Sequence, residues 1–202
     1  MPPALSRRAA LALIVVGGAL AACDTPPPPR PIYPEIRFTN EPKLRLDVSA
    51  IEVLREFKPT LREPQVEHLF PVPPEVAAEA WARDRLEATN AGSPRRARVR
   101  IIDASVKEVA LKKTEGFRGA FTTDQSERYD ASIEMAVDIL GERGFPERTV
   151  TARSERSQSV KEGITPNERE QAWYELTRLL MAEVDRELER QIRANFGNYL
   201  TQ

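Results

Sequence analysis

The stretch TPNEREQAWYELTRLLMAEVDRELERQIRANF, residues 165–196, decides the fold of this 202-residue chain. Thr165 is a suitable N-cap, Pro166 suits the first helical position, and Glu168 lies where a capping-box carboxylate reaches back to the cap. Large apolar residues then recur every three or four positions, as on one buried helix face: Trp173, Leu176, Leu180, Val184, Leu188, Ile192 and Phe196. The pattern predicts a helix of about 30 residues, roughly 45 Å long, lying across a sheet. We expect it to end at Gly197, with Glu183 on its exposed side.

The clearest strand lies before this helix. Apolar and polar residues alternate there, which is typical of a strand with one face on the core and one face in water. The apolar members are Tyr129, Ala131, Ile133, Met135, Val137 and Ile139. A glycine-bearing turn at 141–144 follows, and then a polar strand over 149–160 that we place at a sheet edge.

Three further elements come earlier in the chain. Strands are predicted over 43–57, where the apolar parity slips near Ala50, and over 96–111, where it slips at Ile102. Between them Pro73-Pro74-Glu75 open a helix that runs to about Ala88. The sequence therefore predicts an α+β fold of order β-α-β-β-β-α. We expect a mostly antiparallel four-stranded sheet with two helices packed on one face.

The first 23 residues form a separate segment. Arg7 and Arg8 precede an uncharged run over 9–20, which at about 12 residues is too short to cross a bilayer. A basic head, a short apolar run and small residues before a cut are typical of an export signal. The run ends in Leu20-Ala21-Ala22-Cys23, and Cys23 is the only cysteine in the chain.

This segment resembles the lipobox of bacterial lipoproteins. The resemblance implies cleavage before Cys23 and acylation of Cys23 with fatty acids such as palmitate, so residues 1–22 would be a cleaved signal peptide. Two or three acyl chains anchor a protein stably. In enteric bacteria, an Asp after the acylated cysteine favours the inner membrane, so Asp24 points weakly there, with the outer membrane still open.

Residues 23–36 are predicted to be the lipidated terminus and a proline-rich tether, with Ile32, Tyr33 and Ile36 able to dock onto the domain. Residues 37–202 would form a single α+β domain. Removing residues 1–22 takes two of the 30 basic residues and none of the 31 acidic ones, which leaves a net charge near −3. Such a balance gives no reason to expect nucleic acid as a partner.

The element order behind a lipidated cysteine is similar to two groups of envelope lipoproteins. One is the lipopolysaccharide-assembly lipoprotein of the outer-membrane translocon, and the other is the auxiliary lipoprotein of ABC-type lipid transport systems. The similarity implies a periplasm-facing protein that binds or assembles with an envelope protein. A stand-alone lipid- or lipopolysaccharide-binding module and an uncharacterised hydrolase are the alternatives.

Catalytic and metal chemistry find little support in the sequence. His68 is the only histidine, no G-x-S-x-G motif occurs, and no His or Cys cluster suits a metal, so we expect neither an enzyme nor a cofactor. Arg96, Arg98 and Arg100, with Arg95 beside them, form a basic strand face that suits anionic lipid; the alternative is ion pairing with nearby acids. Phe117 and Phe121 lie on a loop and are predicted to contact a partner; the alternative is packing onto the core.

Overall fold

The computed structural model describes residues 31–111 and 125–201, with the backbone alone at Gln125. Its strands and helices follow in chain order: β1 Leu44–Leu46, β2 Ile51–Arg55, α1 Pro74–Arg85, β3 Leu86–Ala88, β4 Arg96–Asp103, β5 Val106–Ala110, β6 Gln125–Leu140, β7 Pro146–Lys161 and α2 Pro166–Asn195. Two 3-10 turns, Glu67–Leu69 and Gly197–Tyr199, complete the regular structure of these residues. The fold is α+β.

Helix α2 confirms the opening prediction. The Thr165 hydroxyl accepts a hydrogen bond from Glu168 N at 3.3 Å, while Glu168 Oε2 accepts one from Thr165 N at 2.7 Å, so the capping box is closed. Every member of the predicted apolar stripe is buried. The end of the helix differs slightly, because Gly197 opens a 3-10 turn instead of adopting a left-handed φ.

Glu183 is not on the exposed side of α2, so that prediction was wrong. It is half-buried, and its carboxylate accepts hydrogen bonds from Ser154 Oγ at 2.7 Å and from Arg156 at 2.5 Å on strand β7. The helix periodicity placed Glu183 beside the buried stripe. The strand beneath supplies the donors that keep its charge there.

Strand β6 is the centre of the sheet. Its predicted apolar face is buried throughout, and it pairs antiparallel with β7 on one side and with β4 and then β5 on the other. It begins at Gln125, earlier than the alternation indicated. Strand β7 lies at a sheet edge, as predicted.

Each of the two early strand predictions corresponds to two strands. The parity slip near Ala50 marks a break, after which the chain leaves a small parallel sheet of β1 and β3 and enters the main sheet as β2. The slip near Ile102 separates β4 from β5, where Asp103 Oδ1 accepts a hydrogen bond from Ser105 N at 3.1 Å. This local turn replaces the regular ladder of one long strand.

Helix α1 is shorter than predicted, because it ends at Arg85 and Leu86–Ala88 form β3. The pairing of β3 with β1, continued by a hydrogen bond from Thr89 N to Leu46 O, overrides the helix propensity of this segment. The crossover through α1 also makes β2 and β4 parallel neighbours. The main sheet is therefore mixed and five-stranded, where we predicted a mostly antiparallel sheet of four strands.

Both helices cover the same face of the main sheet. One hydrophobic core joins the stripe of α2, Trp81 of α1 and the apolar faces of β4 and β6. The opposite face carries polar and charged side chains. This two-layer arrangement leaves the predicted basic strand, β4, with its arginines on the uncovered face.

Candidate functional site

The arginine row on β4 is largely ion-paired. Arg98 Nε lies 2.6 Å from Glu52 Oε1 on β2, and Arg100 Nε lies 2.8 Å from Asp138 Oδ2 on β6. Strand register explains both contacts, since Arg98 is the partner of Glu52 in the parallel ladder and Arg100 lies on the same face near Asp138. The ion-pair alternative that the sequence left open is thus present at two of the three positions.

Asp138 holds this network in place. Only 2% of it is exposed, although its strand position predicted a wet face. Besides Arg100 it accepts a hydrogen bond from Thr149 Oγ1 at 2.7 Å. The hydrogen bond to Asp138 raises the pKa of Arg100 further above its ordinary value, so this guanidinium stays charged. An anion binding here would have to compete with a buried carboxylate.

Arg96 differs from the other two arginines of the row. It is exposed, and within residues 31–111 and 125–201 its guanidinium forms no ion pair. Its neighbour Arg95 pairs with Glu147 at 3.0 Å and lies 5.4 Å from the ring centre of Tyr199. The row therefore offers one unpaired cation instead of three.

The predicted tether joins the domain at a defined place. Tyr33 packs against Tyr174 of α2 with ring centres 5.3 Å apart and donates a hydrogen bond to Asn167 O. Ile36 and Phe38 are buried in the core, whereas Ile32 is 94% exposed. Two of the three residues expected to dock do so. No helix in the described part of the chain is long and apolar enough to span a membrane.

A bidentate ion pair fixes the same segment to α1. Arg37 Nε and one terminal nitrogen donate to the two Asp84 oxygens at 2.8 and 2.7 Å, and Phe38 N donates to Asp84 at 2.9 Å. Asp84 is buried, and the hydrogen bond from Arg37 holds the pKa of its carboxyl below the ordinary value.

A groove of about 490 Å³ opens where the segment meets α2. Residues 35–41 form one wall, and the other includes Tyr174, Arg178 and Arg186. Arg178 is paired with Glu175. Arg186 is exposed and has no ion pair among the residues that the structure describes. The sequence did not predict this groove, because its walls come from segments about 140 residues apart in the chain.

The other predicted candidates add no site to the described domain. His68 is exposed on the Glu67–Leu69 turn. In residues 31–111 and 125–201, no group of three or more His, Cys, Asp or Glu side chains is placed to hold a metal ion. Cys23, Phe117 and Phe121 lie outside the described residues.

A buried charge cluster between the helices was missed by sequence reasoning. Arg85 of α1 is fully buried and donates to Asp185 of α2 at 2.7 Å, to Glu189 and to the Pro42 carbonyl. Trp81 Nε1 donates to the same Asp185 oxygen at 2.7 Å. The available signal was the spacing of four between Trp81 and Arg85, which places both on one helix face.

This chain is similar in structure to solved proteins of low sequence identity. No protein-family model matches the chain, and no curated protein matches it. The crystal structure of a minor lipoprotein from Acinetobacter baumannii is similar with a TM-score of 0.40 and 14% identity, covering 78% of this chain and 98% of that one. A DUF330 protein from Xanthomonas campestris gives a TM-score of 0.32 and 10% identity, covering 78% of this chain and 94% of that one. At such low TM-scores, neither similarity carries an argument about this chain.

Proposed function

We propose that this chain is a bacterial lipoprotein, acylated at Cys23, whose domain faces the periplasm as a non-enzymatic binding or assembly component. Its role would lie in envelope biogenesis or lipid transport. The observation that carries the proposal is the order of the first 36 residues: a basic head, an apolar run, Leu20-Ala21-Ala22-Cys23 and a proline-rich tether. The docking of Tyr33 and Ile36 supports it, because the folded domain then begins directly after the proline-rich segment that links it to Cys23.

Replacing Cys23 with serine tests the anchor. Wild-type protein is expected to incorporate labelled palmitate and to fractionate with membranes, since a thioether-linked diacylglycerol supplies the attachment. Cys23→Ser is expected to lose the label completely and to be released from membranes, because a hydroxyl does not replace the thiol in this transfer. Asp24→Ser is the matched control and should keep the label. Undiminished labelling of Cys23→Ser would contradict the proposal.

The partner contact is proposed at Phe117 and Phe121, in the segment of the sequence between β5 and β6. Aromatic side chains are frequent anchors of protein interfaces. The double variant Phe117→Ala, Phe121→Ala is expected to weaken cross-linking to membrane proteins several-fold while the unfolding midpoint stays within about 2 °C of wild type. A fall of many degrees with normal cross-linking would instead assign both rings to the core.

A stand-alone lipid-binding module is the second candidate, and the groove beside the tether favours it. The groove brings Ile36, Phe38 and Tyr174 close to Arg186, which has no ion pair among the described residues, and this combination suits an acyl chain with an anionic headgroup, although acidic side chains also line the groove. A contact with anionic lipid also remains predicted for Arg96, Arg98 and Arg100. Among the described residues, Arg96 is the member of this row that could bind a headgroup without first breaking an ion pair. Native mass spectrometry separates the two functions: lipid retained by the non-acylated Cys23→Ser chain supports the lipid-binding module, and a cross-linked membrane protein supports the assembly role.

A further inference from the structure

The outer edge of β7 is a long row of backbone groups that no other strand of the described residues pairs with, although the carbonyls of Glu147 and Ser159 accept hydrogen bonds from the side chains of Arg148 and Gln158. The strand runs for 16 residues, Pro146–Lys161, and of the described strands it pairs with β6 alone. Among the described residues, no other backbone group donates to or accepts from it. An open edge of this length is a template for pairing with another strand.

The ladder geometry shows which residues face outward. On β6 the even-numbered residues form backbone hydrogen bonds with the β5 side of the sheet. Ser132 N donates to Ser105 O, and Ser126 O accepts from Leu111 N, both at 2.9 Å. The odd-numbered residues of β6 therefore bond to β7, at even-numbered partners such as Ala152 opposite Met135. It follows that the odd-numbered residues from Thr149 to Ser159 direct their N–H and C=O groups away from the sheet, because the register shifts at either end of the ladder fall outside this range.

The side chains of these odd-numbered residues are polar and lie on the sheet face away from the helices. In order they are Thr149, Thr151, Arg153, Glu155, Ser157 and Ser159. The two central charges are well exposed, Arg153 by 56% and Glu155 by 66% of their side chains, and within one chain they form an ion pair with each other at 2.7 Å. These charges disfavour pairing with most other strands, because each of them would then lie opposite a side chain of the same charge or of no charge.

One partner fits this pattern, namely β7 itself. We propose that β7 pairs antiparallel with β7 of a second copy of this chain, about a two-fold axis at Ser154. Arg153 then lies opposite Glu155 of the second copy, and the paired residues are those that already direct their backbone groups outward. The remaining outward pairs are Thr149 with Ser159 and Thr151 with Ser157.

Charge also selects the register. Sliding the strands by two residues in one direction places Arg153 opposite Arg153, and sliding in the other places Glu155 opposite Glu155. Like charges directly opposite each other destabilise a pair of strands. In the proposed register, Arg153 and Glu155 of each copy form an alternating group of four charges. Pairing would join two five-stranded sheets into one of ten strands, an isologous contact of the kind most homodimers use.

Cross-linking through a single introduced cysteine tests the axis. In the proposed pair, the two copies of residue 154 form a non-hydrogen-bonded position, with Cα atoms about 4.5 Å apart, which suits a disulfide. The full chain carrying Ser154→Cys, oxidised in membranes with copper phenanthroline, is expected to run as a dimer without reductant. Gln158→Cys is the matched control on the same strand and face, since its two copies would lie about 27 Å apart and stay monomeric. The wild-type chain, treated in the same way, is the control for any cross-link that forms through Cys23.

Exchanging charges tests the register independently. In detergent, Arg153→Glu or Glu155→Arg should each weaken dimerisation measured by sedimentation about tenfold or more, because two symmetric pairs become repulsive. The double variant Arg153→Glu, Glu155→Arg restores opposite charges and should recover wild-type dimerisation. Arg143→Glu, in the turn before β7, is the control and should have no effect.

The proposal is overturned if Ser154→Cys gives no dimer, or no more dimer than Gln158→Cys. It is also overturned if the double charge variant dimerises no better than the single ones. A different protein occupying this edge would give the first of these results, with Ser154→Cys monomeric or joined to another chain. Circular dichroism of each variant separates a loss of pairing from a loss of folding.

Discussion

Replacing Asp185 with alanine is expected to lower the free energy of unfolding by about 3–5 kcal/mol, because it leaves a buried guanidinium without its main carboxylate. Asp185 Oδ1 accepts hydrogen bonds from Arg85 Nε and from Trp81 Nε1, both at 2.7 Å. Arg85 is fully buried and Asp185 is 8% exposed, so water does not replace the lost acceptor. Glu189 and the Pro42 carbonyl still bind the other guanidinium nitrogens, which should keep the domain folded at room temperature.

Urea denaturation followed by tryptophan fluorescence measures this loss. Glu187→Ala is the control on the same helix: its carboxylate pairs with Arg190 at the surface, and its removal should cost at most about 0.5 kcal/mol. The paired replacement Arg85→Met, Asp185→Leu removes both charges and should cost less than Asp185→Ala alone. Equal losses from Asp185→Ala and Glu187→Ala would mean that the buried cluster does not hold the two helices together.

The elements that the sequence predicted well are those specified by neighbouring residues. Helix α2 follows from a capping box within four residues and from a stripe of regular spacing. Strand β6 follows from strict alternation. Such local patterns act whatever the rest of the chain does, and therefore they can be interpreted without knowing the tertiary structure.

The elements that the sequence mispredicted depend on residues far apart in the chain. The helix propensity of Leu86–Ala88 predicts that this segment extends α1. It forms strand β3 instead, because it pairs with Leu44–Leu46. The parallel pairing of β2 with β4 likewise requires the crossover through α1. A parity slip indicates that a strand is irregular. It does not tell whether the chain bulges within one sheet or passes into another.

The candidate site shows the same limit. The alternation of Arg96, Arg98 and Arg100 revealed a basic strand face, but the acids that neutralise it come from β2 and β6. The two acidic partners of Arg85 lie 100 residues or more away on α2. Sequence spacing predicts which side chains share a face of one element. It does not predict what another element brings to that face.

Replacing Leu180 with alanine is expected to lower the free energy of unfolding by about 2–5 kcal/mol, which is a large part of the stability of a typical domain. Leu180 is fully buried in the middle of the α2 stripe, where the helix packs on β6 and β7. Its removal loses the transfer free energy of three carbon atoms and leaves a cavity among Leu176, Val184 and the strands. A core held on both sides by regular elements has little freedom to collapse into that space.

Leu179 supplies a matched control, because it is the same residue type one position along the same helix. It is half-buried and does not belong to the hydrophobic core. Leu179→Ala makes the same chemical change on the same helix. It should lower the free energy of unfolding by only about 1 kcal/mol, because the side chain that it removes is only partly buried. Urea midpoints and slopes of both variants give the comparison. If both variants lose the same small free energy of unfolding, the stripe from Trp173 to Phe196 does not form the core of this fold. If the large loss is confined to Leu180→Ala, the packing of α2 on the sheet holds the domain together.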